Sequence, residues 1–232
     1  MTDPNAASLT SARRPSRVSD PVLEVVAREK TVPARHTILH QGTVPAVAHV
    51  LLAGHTYRYQ ILSNGQRQIT AILYPGDLCD LEAVVRGRAD YSVGTLSACT
   101  LGEIPIGCVA DHARIEPALQ QSLWRHLRCD AAIARAWITN IGRRPALERV
   151  AHLFCETHAR KSRLGLADET GYDSCLTQTE LADALGMTMV HVNRVLRELR
   201  ARGLIERTRG RLTLLDLPAL VDLAGFNAGY LQ

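Results

Sequence analysis

The stretch Leu176–Asp216, LTQTELADALGMTMVHVNRVLRELRARGLIERTRGRLTLLD, decides the fold. Thr177-Gln178-Thr179-Glu180 has the T-x-x-E spacing of a capping box, which predicts a helix start. Leu181, Ala182 and Leu185 then form one apolar face. Gly186 follows, where a tight turn needs a left-handed residue that only glycine adopts without strain. Thr188 is placed to cap a second helix. On that helix Val192, Val195, Leu196 and Leu199 fall at i, i+3, i+4 and i+7, one buried stripe. The spacing Ala182-x3-Gly186-x5-Val192 puts a small residue at a helix crossing, glycine in the turn and a β-branched residue underneath. That is the helix-turn-helix pattern.

Projected at 100° per residue, Val190, Arg194 and Arg197 lie opposite the buried stripe, flanked by Asn193 and His191. A recognition helix meets base edges with its N-terminal residues. Arg194 suits guanine and Asn193 suits adenine, whereas Val190 offers only an apolar surface such as a thymine methyl needs. Val190, His191, Asn193 and Arg194 are therefore the base-readout candidates. Arg197 and Arg200 lie further along and suit phosphate, as do Thr177, Gln178 and Thr188 at the two helix starts. Beyond Gly203, LIERTRGRLTLLD alternates about Arg209-Gly210 like a hairpin, and a basic hairpin here reads as a wing. Arg207, Arg209 and Arg211 complete the phosphate candidates. From Thr188 to Arg211 seven arginines stand against Glu198 and Glu206, +5 in 24 residues, which suits a polyanion. The bland alternative is a solvated basic face; capping, turn and core spacing together argue against it.

Upstream, residues 35 to 106 read as short strands: RHTILH, VAHVLLAG, HTYRYQIL, RQITAILY, SVGTLSA and TLGEIPI. Asn64-Gly65 between the third and fourth is a strong hairpin signal. Many short strands with glycine punctuation predict an antiparallel β roll, jelly-roll-like in character. The period then changes. Leu119, Leu123, Leu127, Ala134, Trp137 and Ile141 recur at threes and fours over about Arg114–Ile141. They predict a long helix, interrupted near Asp130, whose seam serves a dimer or, alternatively, its own barrel. Gly142-Arg143-Arg144-Pro145 marks a break, with Pro145 in the first turn of a new helix striped by Leu147, Val150, Ala151 and Phe154. Lys161–Ser174 reads as a loop, with a short strand near Leu176.

The chain has 232 residues, 46% hydrophobic and 22% charged, with a net charge of only +4. Its length favours more than one core. No apolar run reaches a membrane span, and the N-terminus lacks a secretory apolar segment, so a cytoplasmic location without membrane is expected. The six cysteines show no CxxC pair and read as free thiols. The expected organisation is an α+β chain: a disordered tail (1–20), a β-roll sensor domain (21–112), a dimerisation helix (113–141) and a winged helix-turn-helix domain (142–232).

A β roll, a long dimer helix and a C-terminal winged helix, in that order, resemble the Crp/Fnr superfamily of bacterial transcription regulators over about residues 21 to 220. The resemblance implies a non-enzymatic homodimer on a two-fold symmetric operator in double-stranded DNA, with RNA polymerase as a further partner. It places base contacts on Val190, Asn193 and Arg194. Many members hold a glutamate where this chain has Val190, which implies a different half-site at that base pair.

The sensor domain departs further. GDLCDLEAVVRGRADYSVGTLSA aligns with the family's phosphate-binding cassette, anchored at Gly76-Asp77. In cyclic-nucleotide binders that cassette supplies a glutamate for the ribose hydroxyl and an arginine for the phosphate. Here the matching positions hold Leu81 and Tyr91, with Asp80 where glycine is usual. Leucine cannot accept the ribose bond and tyrosine cannot neutralise phosphate. The resemblance therefore implies an effector other than cyclic AMP, and no cofactor is predicted. A regulator using a shifted pocket is the alternative; the pocket candidates are Asp80, Leu81, Glu82, Arg88, Tyr91 and Ser92. No cysteine precedes Cys79, so the N-terminal iron–sulfur cluster of the oxygen-sensing branch is absent, and no histidine follows Cys79 closely enough for the haem-sensing pattern. A thiol switch at Cys79, Cys99 or Cys108 competes with their reading as small buried hydrophobes. A metal-binding, cupin-like barrel competes through His36, His40, His49 and His55, without the H-x-H pair that such a site needs. No nucleophilic triad signature occurs.

Overall fold

The computed structural model describes residues 20–107, 116–208 and 210–231. The tail preceding Asp20 lies outside the described residues, as do Cys108, Arg114 and Arg209. Asp20 itself belongs to the fold: its carboxylate accepts the Val22 amide at 3.1 Å and caps a short helix, α1 (Pro21–Glu24).

Among the described residues seven antiparallel strands form the roll: β1 (Arg28–Val32), β2 (Thr37–Leu39), β3 (Val47–Ala53), β4 (Thr56–Ile61), β5 (Arg67–Leu73), β6 (Ser92–Thr95) and β7 (Cys99–Pro105). They pair in two sheets, ordered β1-β7-β3 and β2-β6-β4-β5. Apolar side chains of both sheets, among them Val32, Leu51, Leu73, Val93 and Leu101, fill the space between. The hairpin signal sits where expected, joining β4 to β5: Gly65 takes φ +80°, and the Asn64 side chain accepts the Gln66 amide at 3.0 Å. Among the elements not read from the sequence, two show why. Strand β1 is an edge strand with four of its five residues exposed, so it lacks alternation. Helix α2 (Leu81–Arg86) is too short to display a period.

Helix α3 (Pro117–Arg143) runs 27 residues without a break, roughly 40 Å. The interruption expected near Asp130 does not occur; the side chain at that point turns inward to a partner described below. The single apolar stripe read from sequence resolves into two. Leu119 joins a cluster with Val22, Ala48, Val50 and Ile104 of the roll, and Leu123 and Leu127 pack against it. Ile133 and Trp137 are buried further along, Trp137 donating Nε1–H to Glu156 at 3.0 Å. Leu119 and Trp137 are thus 1% and 5% exposed within the chain itself. The other face carries Trp124 and Ile138, 61% and 72% exposed, with Ala131 and Ala134 also exposed between them. Trp124, Ala131 and Ile138 recur at seven, and Leu127, Ala134 and Ile141 interleave at three and four, the a/d spacing of a two-helix seam.

The chain turns at Arg144–Pro145, after α3 rather than at Gly142, and α4 (Ala146–Arg163) begins directly after Pro145. Part of the expected loop is ordered: α4 takes in Lys161–Arg163, and β8 (Ala167–Asp168) and β9 (Gly171–Asp173) form a hairpin. The short strand expected near Leu176 lies slightly earlier, as β9, which ends at Asp173. Helices α5 (Gln178–Leu185) and α6 (Met189–Ala201) follow, then β10 (Ile205–Thr208), β11 (Arg211–Leu214) and α7 (Leu217–Ala224), with a final 3-10 turn (Ala228–Leu231). The wing sheet is ordered β10-β11-β9-β8. One continuous core joins it to the roll, from Tyr57, Ile69 and Tyr74 through Trp137 and Phe154 to Leu181 and Leu196.

Candidate nucleic-acid interface and sensor cavity

Both halves of the capping box form. Thr177 Oγ1 accepts the Glu180 amide at 3.2 Å, and the Glu180 carboxylate accepts the Thr177 amide at 2.6 Å. Gly186 closes α5 in the left-handed region at φ 61°, ψ 44°. Thr188 Oγ1 accepts the His191 amide at 3.2 Å and starts α6. Val192, Val195, Leu196 and Leu199 are buried beneath α6. Val190 is 78% exposed, Arg194 and Arg197 are exposed on the same side, and His191 and Asn193 are half-buried at its margins. The apolar stripe holds α6 down, and the opposite face is presented as a unit.

A groove of about 330 Å³ separates α6 from the wing, lined by Gln178, Leu196, Arg200, Ile205, Arg207 and Thr208. It brings Gln178, Arg200 and Arg207 together. Arg200 Nε donates to Leu196 O at 3.2 Å, and Arg207 donates to Leu176 O, which fixes both guanidinium groups at the groove. Burial and the neighbouring Arg200 lower the Arg207 pKa from its ordinary value. Arg211 is engaged elsewhere: it donates to both Asp168 oxygens at 2.7 and 2.8 Å and to Thr170 Oγ1 at 3.1 Å. Its guanidinium is turned to the β8–β9 hairpin, an orientation the wing pattern did not foretell.

The six candidate effector-pocket residues do not converge on one cavity. Asp80 is completely buried and holds His49, accepting its amide at 2.7 Å and pairing with Nδ1 at 2.5 Å. Ser92 accepts the Gln41 amide at 2.9 Å, and exposed Arg88 donates to Gly42 O at 3.0 Å. These two serve the turn at Gln41–Gly42. Glu82 is half-buried. Leu81 alone of the six lines a cleft between the roll and α3, with Arg58, Asp77, Asp130 and Arg160. That cleft has about 40 Å³ free.

Sequence reasoning missed its principal occupant. Arg58 rises from β4 into the cleft, donating Nε–H to Cys79 O at 2.9 Å and Nη2–H to Leu78 O at 2.7 Å, and pairing through Nη1 with Asp130 on α3. Its guanidinium carbon lies 5.2 Å from the Tyr91 ring centroid. Burial opposes the Arg58 charge, but Asp130 and Tyr91 outweigh it, and the pKa lies above the ordinary guanidinium value. Beside it Arg160 of α4 donates to Ile72 O at 2.9 Å and to Asp77 at 2.5 Å, stacked 4.4 Å over Tyr74. One signal for Arg58 was available: an arginine between two tyrosines, in a strand otherwise reading as core, needs an acidic partner. Nothing in the sequence says that the partner is Asp130.

Burial pushes the thiol pKa of Cys79 and of Cys99 upward. At both positions burial thus disfavours the thiolate on which an oxidation switch depends. Among the described residues no three His, Cys, Asp or Glu side chains converge as a metal cluster. None of the described helices is long and apolar enough to cross a membrane.

Residues 29–111 match the cyclic nucleotide-binding domain family, and residues 148–223 match the Crp-like helix-turn-helix domain family. The anaerobic regulatory protein of Haemophilus influenzae is 24% identical over 208 residues, 90% of this chain and 80% of that protein. The nitrogen fixation regulation protein FixK of Bradyrhizobium diazoefficiens is 27% identical over 189 residues, 80% of this chain and 77% of that protein. The solved structure of FixK2 from Bradyrhizobium japonicum superposes with a TM-score of 0.76 at 22% identity, covering 84% of this chain and 96% of that one.

Proposed function

The chain belongs to the Crp/Fnr superfamily of transcription regulators, and from that premise we propose that it acts as a cytoplasmic homodimer on a two-fold symmetric operator, without cyclic AMP as effector. The observation that carries the reading is α6, clamped by its buried stripe and presenting Val190 and Arg194 outward with Asn193 at their margin. In this reading Arg194 bonds guanine, Asn193 bonds adenine and Val190 meets a thymine methyl. Arg197, Arg200 and Arg207 take phosphates with the helix-start groups Thr177, Gln178 and Thr188. The exposed seam Trp124–Ala131–Ile138, with Leu127, Ala134 and Ile141, pairs with its copy and spaces the two recognition helices about one DNA turn apart, ~34 Å. RNA polymerase is the further partner in this reading.

The relatives bear names of anaerobic and nitrogen-fixation regulators, which supports regulation of transcription as the role and leaves this chain's own operator to its own residues. Selection of duplexes from random DNA tests the reading. The expected result is a two-fold symmetric site whose half-sites differ, at the base pair under Val190, from that of family members with glutamate there. Recovery of the unaltered half-site overturns the assignment of Val190, and enrichment of no duplex overturns the DNA-binding role.

A further inference from the structure

We propose that the Arg58 guanidinium is the permanent occupant of the cleft between the roll and α3, joining roll to dimer helix without a diffusible nucleotide. The inference rests on the DNA-binding reading above and concerns how that binding is set.

Three observations carry it. The first is space. Small-ligand pockets enclose roughly 300 Å³ or more, and about 40 Å³ remains beside Arg58, room for a few waters at most. The second is engagement. The guanidinium directs three of its five N–H donors to two main-chain carbonyls, Leu78 O and Cys79 O, and to the Asp130 carboxylate, with Tyr91 against its face. Arg160 is likewise held by Asp77. Two cations facing two carboxylates leave no uncompensated positive charge to attract a phosphate. A nucleotide entering here would meet Asp130 and Asp77 as like charges. The third is connection. Leu78 and Cys79 directly precede α2, Asp130 lies midway along α3, and Arg160 lies on α4, the first helix of the winged-helix domain. Arg58 therefore joins the roll directly to α3, and Arg160 on α4 lines the same cleft. A contact of this kind biases a two-state equilibrium only through its difference between the two placements; here that difference is intramolecular and always present.

Duplex affinity of the full-length dimer tests this, using the duplex recovered by selection. The expected results are fourfold in kind. Millimolar cyclic AMP or cyclic GMP leaves wild-type affinity unchanged. Arg58→Ala remains dimeric and loses about tenfold or more, within the range of site-to-site coupling. Ethylguanidinium, which replaces the atoms removed, restores most of that affinity to Arg58→Ala, whereas ethylammonium does not. Asp130→Asn, which keeps the side-chain shape and removes the charge, loses affinity comparably. A merely local role for Arg58 in holding the Leu78–Cys79 carbonyls would not be moved by Asp130→Asn. The inference is overturned by a tenfold tightening with either cyclic nucleotide, by a dimeric Arg58→Ala of wild-type affinity, or by an Asp130→Asn of wild-type affinity. The last decides the matter even if Arg58→Ala does not fold. Absence of wild-type binding to any duplex removes the DNA-binding reading itself, and this inference with it.

Discussion

Arg194 leaves α6 on the side opposite Val192, so its guanidinium is free of the core that positions it. A bidentate arginine–guanine contact discriminates its base by about 1–3 kcal/mol. Arg194→Ala should therefore weaken binding to the selected duplex roughly 10- to 100-fold and relax preference at one base pair, while light scattering still reports a dimer. An unchanged footprint contradicts the assignment. Thr177→Ala acts by another route. It removes the acceptor for the Glu180 amide, a loss of about 1 kcal/mol for a cap, visible as a lower melting temperature. The residues of the recognition helix were legible in the sequence because their chemistry is local: caps, turn and stripe all lie within a few residues of one another. Asp80 was not. Its partner His49 lies 31 positions away, and no local pattern pairs the two.

At the scale of the element, α3 carries the clearest lesson. Its apolar residues occupy both faces, and a 3.6-residue period lets spacings of four drift from one face to the other. Leu119, Leu123 and Leu127 therefore look like one seam in sequence, whereas the roll takes Leu119 and leaves Trp124 and Ile138 outside. Which face meets the roll is decided by tertiary packing, so the period alone could not say. The two faces predict different phenotypes. Ile138→Glu places a charge in the exposed seam, and the expected outcome is a folded monomer in sedimentation velocity with near-normal thermal stability. Leu119→Ala empties a core position and costs about 2–5 kcal/mol of stability while leaving the surviving folded protein dimeric. A dimeric Ile138→Glu would contradict the seam.

On the scale of the whole molecule, three Arg–Asp pairs stitch the roll to the helices that follow it. Arg58 meets Asp130, Arg160 meets Asp77, and Arg67 of β5 meets Asp183 of α5 at 2.7 Å while donating to Tyr57 Oη at 2.9 Å. Partly buried pairs of this kind contribute little net stability over an apolar core, yet breaking one partner is costly where the charge left behind is shielded from water. Their value is in fixing one arrangement of roll, α3 and winged helix. The order of modules was readable from the change of hydrophobic period, from short strands to a long helix to a capped pair. The joints between modules were not, because each links charges 72 or more positions apart in ways that only the assembled fold defines: Asp130 is 72 positions from Arg58, Arg160 is 83 from Asp77, and Asp183 is 116 from Arg67.

The central claim is that this surface reads duplex DNA, and the salt dependence of affinity tests it most directly. Arg197, Arg200 and Arg207 in each subunit give about six phosphate contacts per dimer, for which log affinity should fall linearly with log salt at a slope near −5. A slope close to that value for the selected duplex is the predicted result; binding indifferent to salt, or no binding to any duplex, contradicts the account.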